Sequence, residues 1–137
     1  MIAGQEDLPN RYSWGCNGQM ISDASGLSLG TGMSNSIAIL EDCNEINTAA
    51  EMCLNAHIEG YSDWFLPSKD ELTLLYQNIG PESIFSESTS FDSGLTAYYW
   101  SSSEGNSGLA WHVFFGNGTS NGTIKSYLGI VRPIRSF

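Results

Sequence analysis

Gly26-Leu27-Ser28-Leu29-Gly30 has the spacing of a catalytic nucleophile, the G-x-S-x-G turn that lifts a serine hydroxyl out of a strand-to-helix corner. Ser28, Asp92 and His112 also follow the chain order of a hydrolase triad. The context does not supply the chemistry. That elbow needs a strand before it, a helix straight after it and a parallel sheet, which this chain is too short and wrongly patterned to build. A glycine-rich loop is the expected reading, and the chain is expected not to be an enzyme. His57 and His112 lie far apart with no Cys or His at ligand spacing, so zinc has no donor set. Asp63, Asp70 and Glu71 could hold a hard cation, but helix capping and salt bridges account for them, and no metal or cofactor is expected. Cys16, Cys43 and Cys53 are an odd set that allows at most one internal disulfide. Their spacing is neither a zinc nor a CxxC redox motif, and the expectation is three buried apolar thiols.

The elements that must position these residues can be read from periodicity. Ser34 or Asn35 starts a short helical segment carrying Ile37, Leu40 and Cys43. Asn47 caps a second helix, with Ala49, Met52, Cys53 and Ala56 on one stripe and Gly60 to end it. Ser68 and Glu71 form an S-x-x-E capping box for a third, whose stripe is Leu72, Leu75, Tyr76 and Ile79 and whose stop is Gly80-Pro81. Pro67 favours an extended entry, so Trp64-Phe65-Leu66 reads as a short strand or bend. From Ser83 to Thr96 small polar residues without period read as loop. Tyr98-Tyr99-Trp100 opens a β-rich ending in which Trp111, Val113 and Phe115 alternate with His112, Phe114 and Gly116. Gly116-Asn117-Gly118 signals a hairpin, Asn121-Gly122 a second turn or bulge, and Ile130 to Ile134 a closing strand. Helices first and strands last give an α+β fold, a few helices packed on a small antiparallel sheet in a single domain over 1–137.

Composition narrows the function. The 137 residues, 41% hydrophobic with six Phe, six Tyr and four Trp, suffice for one real core. No apolar run approaches a membrane span, and Met1 to Asn10 lacks a signal peptide's basic start and apolar run. A net charge of -10 disfavours nucleic acid or a sulfated polysaccharide as the main partner. All the acids lie at or before Glu104. Two bases against 15 acids leave residues 1–104 at -13, whereas Lys125, Arg132 and Arg135 with no acid give residues 105–137 +3. The arginines are expected to clamp onto body carboxylates, with Asp63, Asp70 and Glu71 as candidates.

Three blocks carry a family resemblance: Gly60 to Leu72 (GYSDWFLPSKDEL), Tyr99 to Glu104 (YWSSSE) and Val131 to Phe137 (VRPIRSF). Together they resemble the family named for the C-terminal domain of the Legionella collagen-like adhesin, which implies a C-type-lectin-like fold. The calcium motifs of sugar-binding lectins, Trp-Asn-Asp and Glu-Pro-Asn, are absent, as is the reactive cysteine pair of sulfatase-activating enzymes that share the broad fold. The tail, from Trp-Ser-Ser-Ser-Glu through Ala110-Trp111, Phe115, Gly118 and Lys125 to the end, is similar to variable regions of proteins diversified by retroelements. In these a mutagenic reverse transcriptase rewrites adenine-templated codons. The short length and absent leader look most like a viral variable protein of the archaeal-virus kind.

That resemblance implies a variable ligand-binding region at 100–137. Its framework would be Trp100, Ala110, Trp111, Phe115, Gly118, Lys125 and Val131 to Phe137. Its contact positions would be Gly105, Asn106, Ser107, Leu109, His112, Phe114, Asn117, Thr119, Asn121, Thr123, Ser126, Tyr127 and Leu128. Strand alternation independently points His112 and Phe114 outward, opposite a buried Trp111, Val113 and Phe115. Rigid aromatics among short polar residues have the make-up of a paratope, while a minor core or oligomer contact would explain Phe114 equally well. Asn117-Gly-Thr119 and Asn121-Gly-Thr123 match the glycosylation sequon, which chance explains in so Asn- and Thr-rich a segment. The implied partner is a protein or glycan on a host-cell surface, with no nucleic acid and no membrane insertion. The implied place is a virion surface, carried there by a virion structural protein, or the extracellular space. The alternative is a fixed-sequence adhesin or glycan-binding domain.

Overall fold

The computed structural model describes residues 1–80 and 96–136. Short N-terminal strands β1 (Ile2–Ala3) and β2 (Tyr12–Ser13) precede a 3-10 turn at Ser22–Ala24 and helices α1 (Gly32–Asp42), α2 (Ala49–Leu54) and α3 (Lys69–Ile79). Strands β3 (Tyr98–Glu104), β4 (Leu109–Phe114), β5 (Thr119–Ile124), β6 (Leu128–Gly129) and β7 (Ile134–Arg135) complete the chain. The class is α+β, with the helices and small antiparallel sheets of the C-type-lectin-like arrangement.

β3, β4 and β5 form the central sheet in that order, while the ends fold back on one another, β1 against β7 and β2 against β6. Adjacent residues of β3 point to opposite faces and feed two cores. Trp100 joins Trp14, Ile39, Cys53, Leu66 and Ala110 beside α1 and α2. Tyr99 joins Leu72, Leu75, Val113, Phe115 and Ile134 beside α3.

The capping box at α3 forms as expected, Ser68 Oγ accepting from Glu71 N while Glu71 Oε1 accepts from Ser68 N. The same carboxylate also accepts from Gly30 N and Gly32 N, tying the α1 entry to the α3 entry. A Cβ on Gly32 would sit on that oxygen, so glycine there is a packing requirement. α1 starts at Gly32, ahead of the expected Ser34 or Asn35, and Thr48 rather than Asn47 caps α2, its side chain accepting from Glu51 N. Asn47 takes a left-handed turn, φ 58°, just before the cap.

The cysteine expectation needs correction. Cys16 and Cys43 form a disulfide that joins the end of α1 to the N-terminal segment, and only Cys53 is a buried free thiol. Cys16 adopts φ 50° after Gly15 at φ 100°, a turn that swings its sulfur toward α1. Nothing in the spacing of 27 residues announces it. Burial in apolar surroundings raises the Cys53 thiol far above its usual range.

Candidate ligand-binding face

The Trp100-Ser-Ser-Ser-Glu104 segment shows what holds the tail in place. The ladder between β3 and β4 is irregular between Trp100 and Glu104, so successive serines need not alternate in and out, and all are fully buried. Ser101 Oγ donates to Trp111 O, Ser103 Oγ donates to Gly26 O, and Ser102 Oγ accepts from Asn35 Nδ2. Small hydroxyls suit this run because each finds a partner on a different element, a backbone carbonyl for Ser101 and Ser103 and the Asn35 amide for Ser102, without adding volume. At the end of the run Glu104 meets Lys125 at 2.7 Å, both buried, and Lys125 Nζ donates also to Gln19 O and lies 4.5 Å above the Trp14 ring. This pair fixes β5 to β3 from outside the contact positions.

The closing segment is equally occupied. Arg132 Nε donates to Asp7 and its Nη1 to Gly4 O, while Arg135 chelates Asp63 at 2.7 and 3.0 Å and stacks on Tyr61. Asp63 is thus the expected clamp for Arg135, and its carboxyl is held below the usual range chiefly by that guanidinium. Asp70 and Glu71 are not the partners of either arginine. Asp7 was not foreseen, lying outside every quoted block.

Between these fixtures one sheet face stays open. Register places Trp100, His112 and Asn121 side by side, with Tyr98, Phe114 and Thr119 in the next row and Ala110 and Thr123 in the row before. Ala110 is buried under the first core, and beyond it the face opens into a cavity of about 500 Å³. Tyr98, Trp100, His112, Asn121 and Thr123 line it from the sheet, and Tyr127, Leu128 and Gly129 close its side. Gly129 is needed there because a Cβ would press onto the Trp100 indole.

Of the thirteen contact positions expected from sequence, His112, Asn121, Thr123, Tyr127 and Leu128 meet in this cavity, and Phe114 stacks on Tyr98 at its edge, 4.9 Å between centroids. Thr119 and Asn117 follow at the hairpin, where Asn117 Oδ1 accepts from both Thr119 N and Thr119 Oγ1. Ser126 is exposed in the turn before Tyr127. Gly105, Asn106 and Ser107 lie apart in the β3–β4 turn, where Asn106 Oδ1 accepts from Gly108 N and Leu109 N. Leu109 belongs to the opposite face by alternation.

Two burial expectations change. His112 does share a face with Phe114, but it is only 6% exposed, because the cavity walls rise around it. Trp111 is half-buried rather than core, and the Lys69 ammonium from the start of α3 sits 4.4 Å over its indole. Sequence reasoning missed Tyr98, whose place opposite Phe114 was implicit in the Tyr98-Tyr99-Trp100 alternation, and took Trp100 as framework alone. Its indole both packs the core and lines the cavity, with Nε1 donating to Tyr12 O.

Ser28 and His112 take different partners. A 3-10 turn, not a strand, precedes Ser28, whose carbonyl accepts from Ser68 Oγ and Thr31 Oγ1 at the helix entries, whereas His112 bonds Thr123 in the sheet. Asp92 falls outside the described residues. Among the described residues no group of three or more His, Cys, Asp or Glu could hold a metal ion, and no helix is long and apolar enough to cross a membrane.

The helices and small antiparallel sheets, with a stabilised tail around an open sheet face, are those of a C-type-lectin-like domain. The family profile of the Lcl C-terminal domain matches residues 7–135, and the chain belongs to that family. It is thus a domain of the adhesin-like, surface-protein type. No curated protein sequence matches it.

Proposed function

We propose that the domain is a non-catalytic recognition module of a virion or cell-surface protein, holding a host-surface ligand on the open face of β3, β4 and β5. One observation carries this. Five of the thirteen expected contact positions, His112, Asn121, Thr123, Tyr127 and Leu128, meet in an aromatic-lined cavity, while the groups that stabilise the tail, Glu104–Lys125, Arg132–Asp7 and Arg135–Asp63, come from other positions. Contacts can therefore change while the fold persists. That separation is what retroelement diversification of codons 105–128 would exploit, and we extend the proposal to a viral variable protein of that kind.

The test has two parts. Labelled domain should bind intact host cells, and an Asn121→Ala, Tyr127→Ser, Leu128→Ser variant, changed only at exposed positions, should lose binding while keeping its melting temperature. A nearby template repeat differing from codons 105–128 at adenines, beside a reverse transcriptase gene, would support diversification. Its absence would leave the second reading, an adhesin of fixed sequence, which the family membership favours. Turnover abolished by Ser28→Ala would overturn both.

A further inference from the structure

The cavity contains one buried polar atom whose hydrogen bond is missing. His112 Nδ1 shares a short hydrogen bond with Thr123 Oγ1, and Nε2 is a buried side-chain nitrogen without a partner among the described residues. A threonine hydroxyl has one hydrogen to give. Donated to Nδ1, it satisfies both atoms and places the ring proton on Nε2. The reverse assignment would leave the hydroxyl hydrogen and the Nε2 lone pair both unused. The lower-cost tautomer thus presents an N–H with no acceptor, and such a group is expensive to bury unless something completes it.

We propose that the cavity takes an uncharged pyranose ring, and that His112 Nε2–H donates to one of its oxygens. This rests on the binding role proposed above and names its ligand class. Tyr127, 59% exposed, offers a flat aromatic surface for the C–H face of a sugar, and the Asn121 amide stands on the same sheet face to meet its hydroxyls. Among the described residues no Asp, Glu, Lys or Arg lines the cavity to offset the desolvation of a sulfate or carboxylate, and the net charge of -10 opposes such a ligand. A phenylalanine ring from a protein partner would fill the same space but leave Nε2–H without an acceptor. Tyr98, 41% exposed and packed edge-on to the imidazole at 4.9 Å, is the ring that the sugar displaces to reach it.

The full chain, labelled with ¹⁵N-histidine, is titrated by NMR with neutral methyl hexopyranosides and methyl N-acetylhexosaminides, with their sulfated counterparts, and with p-cresol. The free protein should show the Nε2–H tautomer at His112. At least one neutral glycoside should shift His112 and the Trp100 indole, and its sulfated form should bind more weakly. His112→Phe should weaken that glycoside about tenfold, the order expected for one hydrogen bond, whereas His112→Gln, which keeps an N–H near Nε2, should bind nearly as wild type. Should His112→Phe fail to fold, Asn121→Ala at an exposed position is expected to weaken the same glycoside several-fold. The proposal is overturned if no neutral glycoside shifts these signals, if binding ignores His112→Phe or Asn121→Ala, or if p-cresol competes better than every sugar. Cell binding that persists while glycosides fail would sink the sugar and spare the recognition role; loss of both would sink both.

Discussion

At the scale of single residues, Glu104 and Lys125 carry the heaviest consequence. Each is buried, and each would be left as an uncompensated charge if its partner were removed. Lys125→Met alone should cost ~3–5 kcal/mol in chemical denaturation, and adding Glu104→Leu should recover part of it, because a well-packed apolar pair can replace a buried ion pair. His112 makes a second prediction. Burial holds its pKa below the ordinary 6.5. Above that value the imidazole is neutral in both states and contributes nothing to the pH dependence. As pH falls through it the unfolded chain takes the proton first, so stability drops until the lower folded pKa is passed. His112→Gln should flatten this part of the urea-midpoint profile between pH 7.5 and 5; an unchanged slope would assign it to carboxylates instead. Trp100→Ala should cost ~3–5 kcal/mol, and the half-buried Trp111→Ala less, on the order of 2 kcal/mol.

At the scale of elements, what was legible in the sequence was whatever is decided locally. The Ser68–Glu71 box needs only four residues and a helix, and it formed as read. The parity of β4 was legible too, His112 and Phe114 on one side and Val113 on the other. Which side meets water was not, because Tyr127, Leu128 and Tyr98 arrive from distant positions to wall in His112. The disulfide was invisible for the same reason, depending on a left-handed turn at Cys16 meeting the end of α1. Closing that loop should stabilise the chain by roughly 3–4 kcal/mol on chain-entropy grounds, which a Cys16→Ser, Cys43→Ser variant would show by its lowered melting temperature. Ellman's reagent should find no reactive thiol in the native protein and a single one after unfolding without reductant. Two or three would refute the pairing.

For the whole molecule, the sheet and its cavity are held by contacts among distant parts of the chain, from the Arg132 clamp on the N-terminal segment to the serine hub that touches Gly26, Asn35 and Lys69. Combined replacement of Asn121, Tyr127 and Leu128, all exposed, should therefore move the melting free energy by no more than ~0.5 kcal/mol per site while abolishing cell binding. A library randomised at these positions and scored separately for protease resistance and for binding would check both halves of that statement.

The pairing of β1 with β7 sets Ile2 opposite Arg135 across an antiparallel ladder, so the two ends of the described chain are neighbours. The backbone is close to a closed ring. A short linker joining the termini, with a new opening at the tight Glu59-Gly60 turn, should yield a circular permutant with the same disulfide, the same indole environment at Trp100 and the same ligand. Equally, the domain could be spliced into a surface loop of an unrelated carrier, whose cut ends would need to span little more than the gap between adjacent strands.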